Sequence, residues 1–364
     1  MRIFKFLAAG SFILILAVIG LFWLRAHAPS APAKTPPIAP TNSMLGAAWQ
    51  AVPQNPVITG GSCFSWRCAG VTDPALIQNQ DGTAAIWFTT IGIYDVGGQY
   101  ASSGPYLGRA VGSISPFETF AVSPDQPVTS VGATGTWDRY IETPSVRRLN
   151  GSLAMWYLGY AESGFKSPAL GEMHAADSAG TAWILPPDPI YRPQPGNWDG
   201  TLVTGPTVVR GPDGLWRLYY SGIGTKNGIG LLTSPDGTHW KASAANPVFL
   251  NEPGKWDDEI LEQAVIYARG QYWMWYSGWR GTLQPSTPIS IGLATSSDGI
   301  HWSRYAGNPV IVPGPPGSWD DLRVLAPDVI VRPDGSFLMA AYGSSRADEG
   351  RSAGSIGLWE SDAN

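Results

Sequence analysis

The chain has 364 residues, with 23 Lys and Arg against 28 Asp and Glu and a formal net charge of −5. That mild acidity excludes a nucleic-acid partner, because phosphate backbones are held by a basic footprint this chain lacks. The 44 Gly, 32 Pro, 17 Trp and 14 Tyr suit an all-β protein with many turns and aromatic packing.

The first predicted element is one N-terminal hydrophobic helix. Arg2 and Lys5 precede an apolar run from Leu7 to Leu24, which Arg25 closes. The run is just long enough for one membrane span. Ala26-His27-Ala28 has the small-x-small pattern of a cleavage site, but Pro29 follows and disfavours cutting. Residues 1–28 therefore read as a signal anchor, or as a signal peptide if cleaved. The positive end stays in the cytoplasm, so the remainder is expected to be exported. It would face the periplasm or cell exterior on a membrane anchor, or be secreted. Residues 29–48, rich in Pro and Ala, read as a semi-extended spacer. Cys63 and Cys68, the two cysteines, fall in the exported part, where a local disulfide is expected. No histidine is near them, so no metal site is read there.

From residue 49 to 364 one pattern is written five times. Each copy opens around a Pro-Val or Pro-Ile pair, at Pro56, Pro127, Pro189, Pro247 and Pro309. Nine or ten residues later comes a tryptophan: Trp66, Trp137, Trp198, Trp256 and Trp319. In the last four copies an aspartate follows it: Asp138, Asp199, Asp257 and Asp320. Several short strands in a repeat of roughly 60 residues mark a β-propeller with one blade per copy. The turn between the first two strands recurs as Asp81-Gly82, Asn150-Gly151, Asp213-Gly214, Arg269-Gly270 and Asp334-Gly335. Asp-Gly and Asn-Gly favour hairpins because such turns need positive φ. The last copy stops after its third strand, Ser355–Glu360, while an orphan fourth strand, Asn55-Pro56-Val57-Ile58, stands at the front. The N-terminal strand is thus expected to complete the last blade and close the ring, which removes open sheet edges.

Residues that recur in every blade read as architecture. The Trp-Asp pairs are expected to pack between blades and cap turns. His239 and His301, at equivalent places in outer hairpins, read as turn devices. Chemistry is expected where equivalent positions differ. An alignment on Pro74, Pro144, Pro206, Ala264 and Pro327 puts three carboxylates, Asp73, Glu142 and Glu262, at one mouth of the central funnel. Carboxylates sharing a cavity are costly unless paired or used. The alternatives are arginine pairing or a structural cation in the channel.

At this point the chain resembles the five-bladed propeller glycoside hydrolases, families 43, 32, 62, 68, 117 and 130 and their relatives, over residues 50–364. Asp73-Pro74, Tyr220-Ser221-Gly222, Tyr276-Ser277-Gly278 and the run from Ala294 to Trp302 carry the resemblance. It implies a first-blade aspartate as base or nucleophile, which Asp73 matches, and a later-blade glutamate as acid, which Glu262 matches. Glu142 would be the acid or a carboxylate that tunes its partners. One departure stands out: the third-blade position that carries an aspartate in the nearest families is Gly205 here. Asp199, six residues earlier, is a weak substitute for it. Loops after the second strands offer sugar contacts, namely Trp279, Arg280, Arg346, Tyr94 and Tyr160. The reading is a monomeric glycosidase that needs no cofactor and acts on an extracytoplasmic polysaccharide or oligosaccharide. Its rival is a non-catalytic carbohydrate-binding or surface-assembly propeller.

Overall fold

The structure, a computed structural model, describes residues 46–61, 65–79, 81–96, 99–348 and 354–361, with backbone alone at 93–96, 99–103 and 348. The apolar segment 1–28, nearly all of the spacer and Cys63, with its expected bond to Cys68, lie outside the described residues.

Five antiparallel sheets surround one axis. Strand β1 (Gln50–Ala51) precedes the first blade, which is β2 (Val71–Gln78), β3 (Thr83–Val96), β4 (Gln99–Ser113) and β5 (Ala121–Val122). The second blade is β6 (Tyr140–Leu149), β7 (Ser152–Tyr160), β8 (Ala169–Ala175) and β9 (Trp183–Ile184). The third is β10 (Leu202–Arg210), β11 (Trp216–Ile223), β12 (Asn227–Ser234), β13 (Lys241–Ala242) and β14 (Phe249–Leu250). The fourth is β15 (Glu259–Ala268), β16 (Gln271–Trp279), β17 (Ser290–Ser296) and β18 (Ser303–Arg304). The fifth is β19 (Arg323–Val331), β20 (Phe337–Ser344) and β21 (Ser355–Glu360), completed by β1.

The hairpins follow from the turn residues. The two-residue loops Asn150-Gly151 and Arg269-Gly270 have positive φ at both positions, the geometry that matches the twist of the flanking strands. Ring closure is by the N-terminus, along a longer segment than the sequence suggests. The closing strand is Gln50–Ala51, paired with Trp359 and Glu360. Asn55–Ile58 follows along the same edge, bridging Ile356. In it the Asn55 amide does the work of a peptide: its Nδ2 donates to the Leu358 carbonyl at 2.8 Å, and its Oδ1 accepts from the Leu358 N–H at 2.7 Å. Asn246 does the same for Leu231, and Asn308 for Leu293. This explains the recurrent Asn before the proline.

The core is five apolar layers, each between two neighbouring blades. One joins Leu76, Ile86 and Phe88 of the first blade to Leu338, Ile356 and Leu358 of the fifth, so the ring is closed by packing as well as by hydrogen bonds. The repeated tryptophans lie beside these layers. Trp137 stacks on Tyr157 with centroids 5.9 Å apart, and Trp198 and Trp256 meet Tyr220 and Tyr276 at a tilt, with centroids 5.8 and 5.7 Å apart. A Cβ on Gly171, Gly222 or Gly292 would strike the indole of its blade, so glycine there makes room for the ring. The paired aspartates are buried and accept tyrosine hydroxyls of the blade they precede: Tyr157 on Asp138, Tyr220 on Asp199 and Tyr276 on Asp257. They therefore fasten the connection to its own blade rather than cap an isolated turn. His239 and His301 close their turns on Asp236 and Asp298 at 2.7 and 2.8 Å.

Candidate active site

The five inner strands, β2, β6, β10, β15 and β19, line the axis, and each carries one bulge at the same height. The bulged backbone turns left-handed, with φ of 50° at Asp73, 51° at Thr143, 55° at Gly205, 46° at Glu262 and 52° at Ala326. For a residue with a Cβ this conformation costs about 1–2 kcal/mol. Hydroxyls of neighbouring blades hold it in place. The Thr143 N–H donates to Thr89 at 3.0 Å, the Glu262 N–H to Ser221 at 2.7 Å and the Ala326 N–H to Ser277 at 2.9 Å. The Gly205 N–H donates to the Thr143 hydroxyl at 3.2 Å.

This geometry corrects the sequence alignment by one residue in the fourth blade. The proline place is held there by Gln263, not Ala264. Asp73 and Glu262 therefore occupy the same register on blades one and four, whereas Glu142 stands one position earlier, level with Thr72 and Leu261. Gln263 replaces the stiffness of proline by a cross-link. Its Nε2 donates to the Gly205 carbonyl at 2.7 Å, and its Oε1 accepts from Ser221 at 2.9 Å.

Asp73 and Glu262 line one axial pocket of about 320 Å³, part of it open to solvent, together with Pro74, Pro144, Pro206 and Pro327. Glu142 is buried beside that wall and accepts the Tyr160 hydroxyl at 2.5 Å. All three carboxyls are raised above the ordinary carboxylate range, and burial is the main cause. Asp73 is raised to about 6, with Thr89, Thr72 and Thr143 acting in opposition. Glu142 is raised to about 8, with the Asp73 charge adding to burial. Glu262 is pushed well above the usual carboxylate range by burial and then by the charges of Asp73 and Glu142. One Glu262 oxygen, Oε2, is buried with no hydrogen-bond partner among the described residues. Burial thus favours the protonated form of all three carboxyls, least at Asp73, where hydrogen bonds from Thr89, Thr72 and Thr143 oppose it.

Sequence reasoning missed a fourth acid. Asp328, in the fifth blade, lies in the pocket wall and is gripped by Arg147 of the second blade at 2.5 and 3.1 Å. The same carboxylate accepts the Leu76 N–H of the first blade at 2.7 Å. Arg147 is committed there and not to Asp73, Glu142 or Glu262. Among the described residues no His, Cys, Asp and Glu cluster is arranged to hold a metal ion.

Of the candidate sugar contacts, Trp279 is buried among Leu261, Leu283, Leu325 and Tyr342, and Tyr160 is buried against Tyr140 and Phe165. Both rings are therefore covered by protein. Arg280 and Arg346 are exposed. Their loops are pinned by the second acid of each Trp-Asp-Asp run: Asp258 accepts the Gly281 N–H at 3.0 Å, and Asp321 the Arg346 N–H at 2.6 Å. The Tyr94 side chain lies outside the described residues.

Gly205 explains the missing third-blade acid. A Cβ there would sit 3.2 Å from both Cα and Cγ of Glu262. Gly205→Ala is expected to destabilise the fold by about 1 kcal/mol through its left-handed φ. Thermal melting checks this, and a variant as stable as the parent would show that neither the left-handed φ nor the nearness of Glu262 restricts this position.

No protein-family model matches the chain. An uncharacterized protein of Mycobacterium tuberculosis strain H37Rv is 26% identical over 236 residues, 62% of this chain and 73% of that protein. The A type blood N-acetyl-alpha-D-galactosamine deacetylase of Flavonifractor plautii is 39% identical over 132 residues, 34% of this chain and 16% of that protein. Among solved structures, a glycoside hydrolase superposes with a TM-score of 0.63 at 18% identity, covering 83% of this chain and 92% of that one. A thermostable family-43 glycoside hydrolase gives 0.59 at 17% identity, covering 79% and 88%. A structure from work on family-130 mannoside phosphorylases and β-1,2-mannoside hydrolases gives 0.61 at 16% identity, covering 88% and 95%. The chain has the fold of these propeller enzymes.

Proposed function

We propose that this protein is a glycoside hydrolase that cleaves an extracytoplasmic oligosaccharide or polysaccharide, with Asp73 as base or nucleophile and Glu262 as general acid. The observation that carries the reading is the placement of these two buried carboxyls at the same register of blades one and four, in the wall of one pocket. Glycosidic cleavage needs one ionised and one protonated carboxyl flanking the bond. Glu142, beside them on Tyr160, tunes the pair by its own charge state. A second reading has a specific source in the stretch shared with the N-acetylgalactosamine deacetylase: the same pocket would then hold an acetamido sugar and release acetate.

One experiment separates the readings. The protein is incubated with aryl furanosides and pyranosides, arabinan, xylan, fructan, mannan and N-acetylgalactosaminides, and both new reducing ends and acetate are measured. Reducing ends support hydrolysis, acetate supports the deacetylase, and binding without product leaves a carbohydrate-binding propeller. For a cleaved substrate kcat/KM should be bell-shaped in pH. Asp73 must lose its proton, so the acidic limb rises through about 6. Glu262 must keep its proton, so the alkaline limb lies above the ordinary carboxylate range. A profile flat from pH 4 to 6 would remove Asp73 from the base role.

A further inference from the structure

Residues 280–289 join β16 to β17 and lie as a strap over the seam between blades four and five. The strap is fastened at three places. At its start Asp258 accepts the Gly281 N–H. In its middle Leu283 is buried in one apolar cluster with Leu261 and Trp279 of blade four and Leu325 and Ala326 of blade five. At its end Arg323, the first residue of β19, donates to three of its carbonyls. The Arg323 Nε reaches Thr287 at 3.0 Å, and Nη2 reaches Gln284 at 2.7 Å and Pro285 at 2.5 Å. Beside these bonds the Val324 N–H donates to the Ile289 carbonyl at 3.0 Å.

This latch belongs to one blade. Three residues before the left-handed position the other inner strands carry Gly70, Tyr140, Leu202 and Glu259. Arg323 is 6% exposed, and a buried guanidinium is costly unless its donors are used. Packing alone would be served by an apolar residue, as Leu202 serves blade three. The strap also meets the pocket, because Ala326 belongs both to the Leu283 cluster and to the pocket lining. A sugar chain leaving the pocket along this seam would need the space that Leu283 fills.

We propose, resting on the glycosidase reading and narrowing its substrates, that Arg323 is a positioning residue. It latches residues 280–289 as a stop on the seam between blades four and five, so the pocket prefers short glycosides to chains extended across that seam.

The test uses the full chain, an aryl glycoside that it cleaves and an oligosaccharide of the same sugar. The ammonium of Arg323→Lys cannot span three carbonyls. Amide hydrogen exchange across residues 282–289 is therefore expected to quicken about tenfold or more, while β15 and β19 stay protected. In both Arg323→Lys and Leu283→Ala, kcat/KM on the oligosaccharide relative to the aryl glycoside should rise about tenfold, through KM. The kcat on the aryl glycoside should change less than about twofold. Unchanged exchange in Arg323→Lys, or a ratio within about twofold of the parent in either variant, overturns the proposal and leaves glycosidic cleavage intact. If no glycoside is turned over, the glycosidase reading fails, and calorimetry decides the reach separately. Parent and Leu283→Ala are then titrated with arabino-, xylo-, fructo- and manno-oligosaccharides. Tighter binding by the variant supports the stop; equal binding, or none by either, overturns it.

Discussion

Replacing Glu262 by glutamine should remove glycan cleavage while leaving the propeller folded. The amide keeps the shape and cannot deliver a proton, and a positioned general acid is worth about 10²–10⁴-fold in rate. Asp73→Asn should lose at least as much, since it removes the base or nucleophile at the same register. The stability side has a definite sign. Burial and the charges of Asp73 and Glu142 raise the Glu262 carboxyl in the folded protein, so the folded state binds its proton more tightly than the unfolded chain does. That contribution to stability is present below the ordinary carboxylate value of 4.5 and is lost as pH rises towards the folded value. Glutamine never ionises, so Glu262→Gln should melt at least as high as the parent at pH 8, and the two should converge near pH 4. Activity above a tenth of the parent in the folded variant would take the acid role from Glu262.

The repeat was legible because its signals are local. Asn-Gly and Arg-Gly turns, the Trp-Asp pair and the Asn before proline each act within one blade, and the structure assigns each a local contact: a positive-φ loop, a tyrosine hydroxyl, a carbonyl and N–H of the third strand. The site was legible only in part. Asp73, Glu142 and Glu262 stood out because acids do not recur at that height in every blade, the fifth putting Leu325 there. The fourth blade has glutamine where the others have proline, so the anchor for alignment was lost, and Glu142 seemed level with Glu262 although it is level with Leu261. Trp279 shows another limit. A strand that is aromatic on both faces does not reveal which rings are covered, and the cluster that covers Trp279 includes Leu325 and Tyr342 of the next blade. A signal for Asp328 did exist, since the other blades have Ala75, Ser145, Thr207 and Ala264 at its register. Its partner Arg147 lies 181 residues away on another blade, a distance that no local pattern spans.

That ion pair is the place where a single substitution should cost the most stability. Arg147→Ala leaves Asp328, with a side chain 7% exposed, carrying its charge in the pocket wall with only the Leu76 N–H for support. Breaking a buried pair by removing one partner costs about 3–5 kcal/mol, because the remaining charge is uncompensated. The Arg147 side chain is 18% exposed, so water reaches one end of the pair and the lower part of that range is expected, a fall in Tm of about 6–10 °C for a domain of this size. The loss comes from the stranded carboxylate rather than from the missing attraction, and a double substitution separates the two. Arg147→Met/Asp328→Asn keeps an acceptor for the Leu76 N–H and leaves no charge behind, so it should recover most of the fall. Three blades meet at this pair, and the Arg147→Ala change should also loosen the wall that holds Asp73 and Glu262, lowering kcat more than it raises KM. Melting curves of the parent, the single and the double variant decide the matter: a single variant as stable as the parent, or a double variant no better than the single, would mean that Arg147 and Asp328 do not brace the ring.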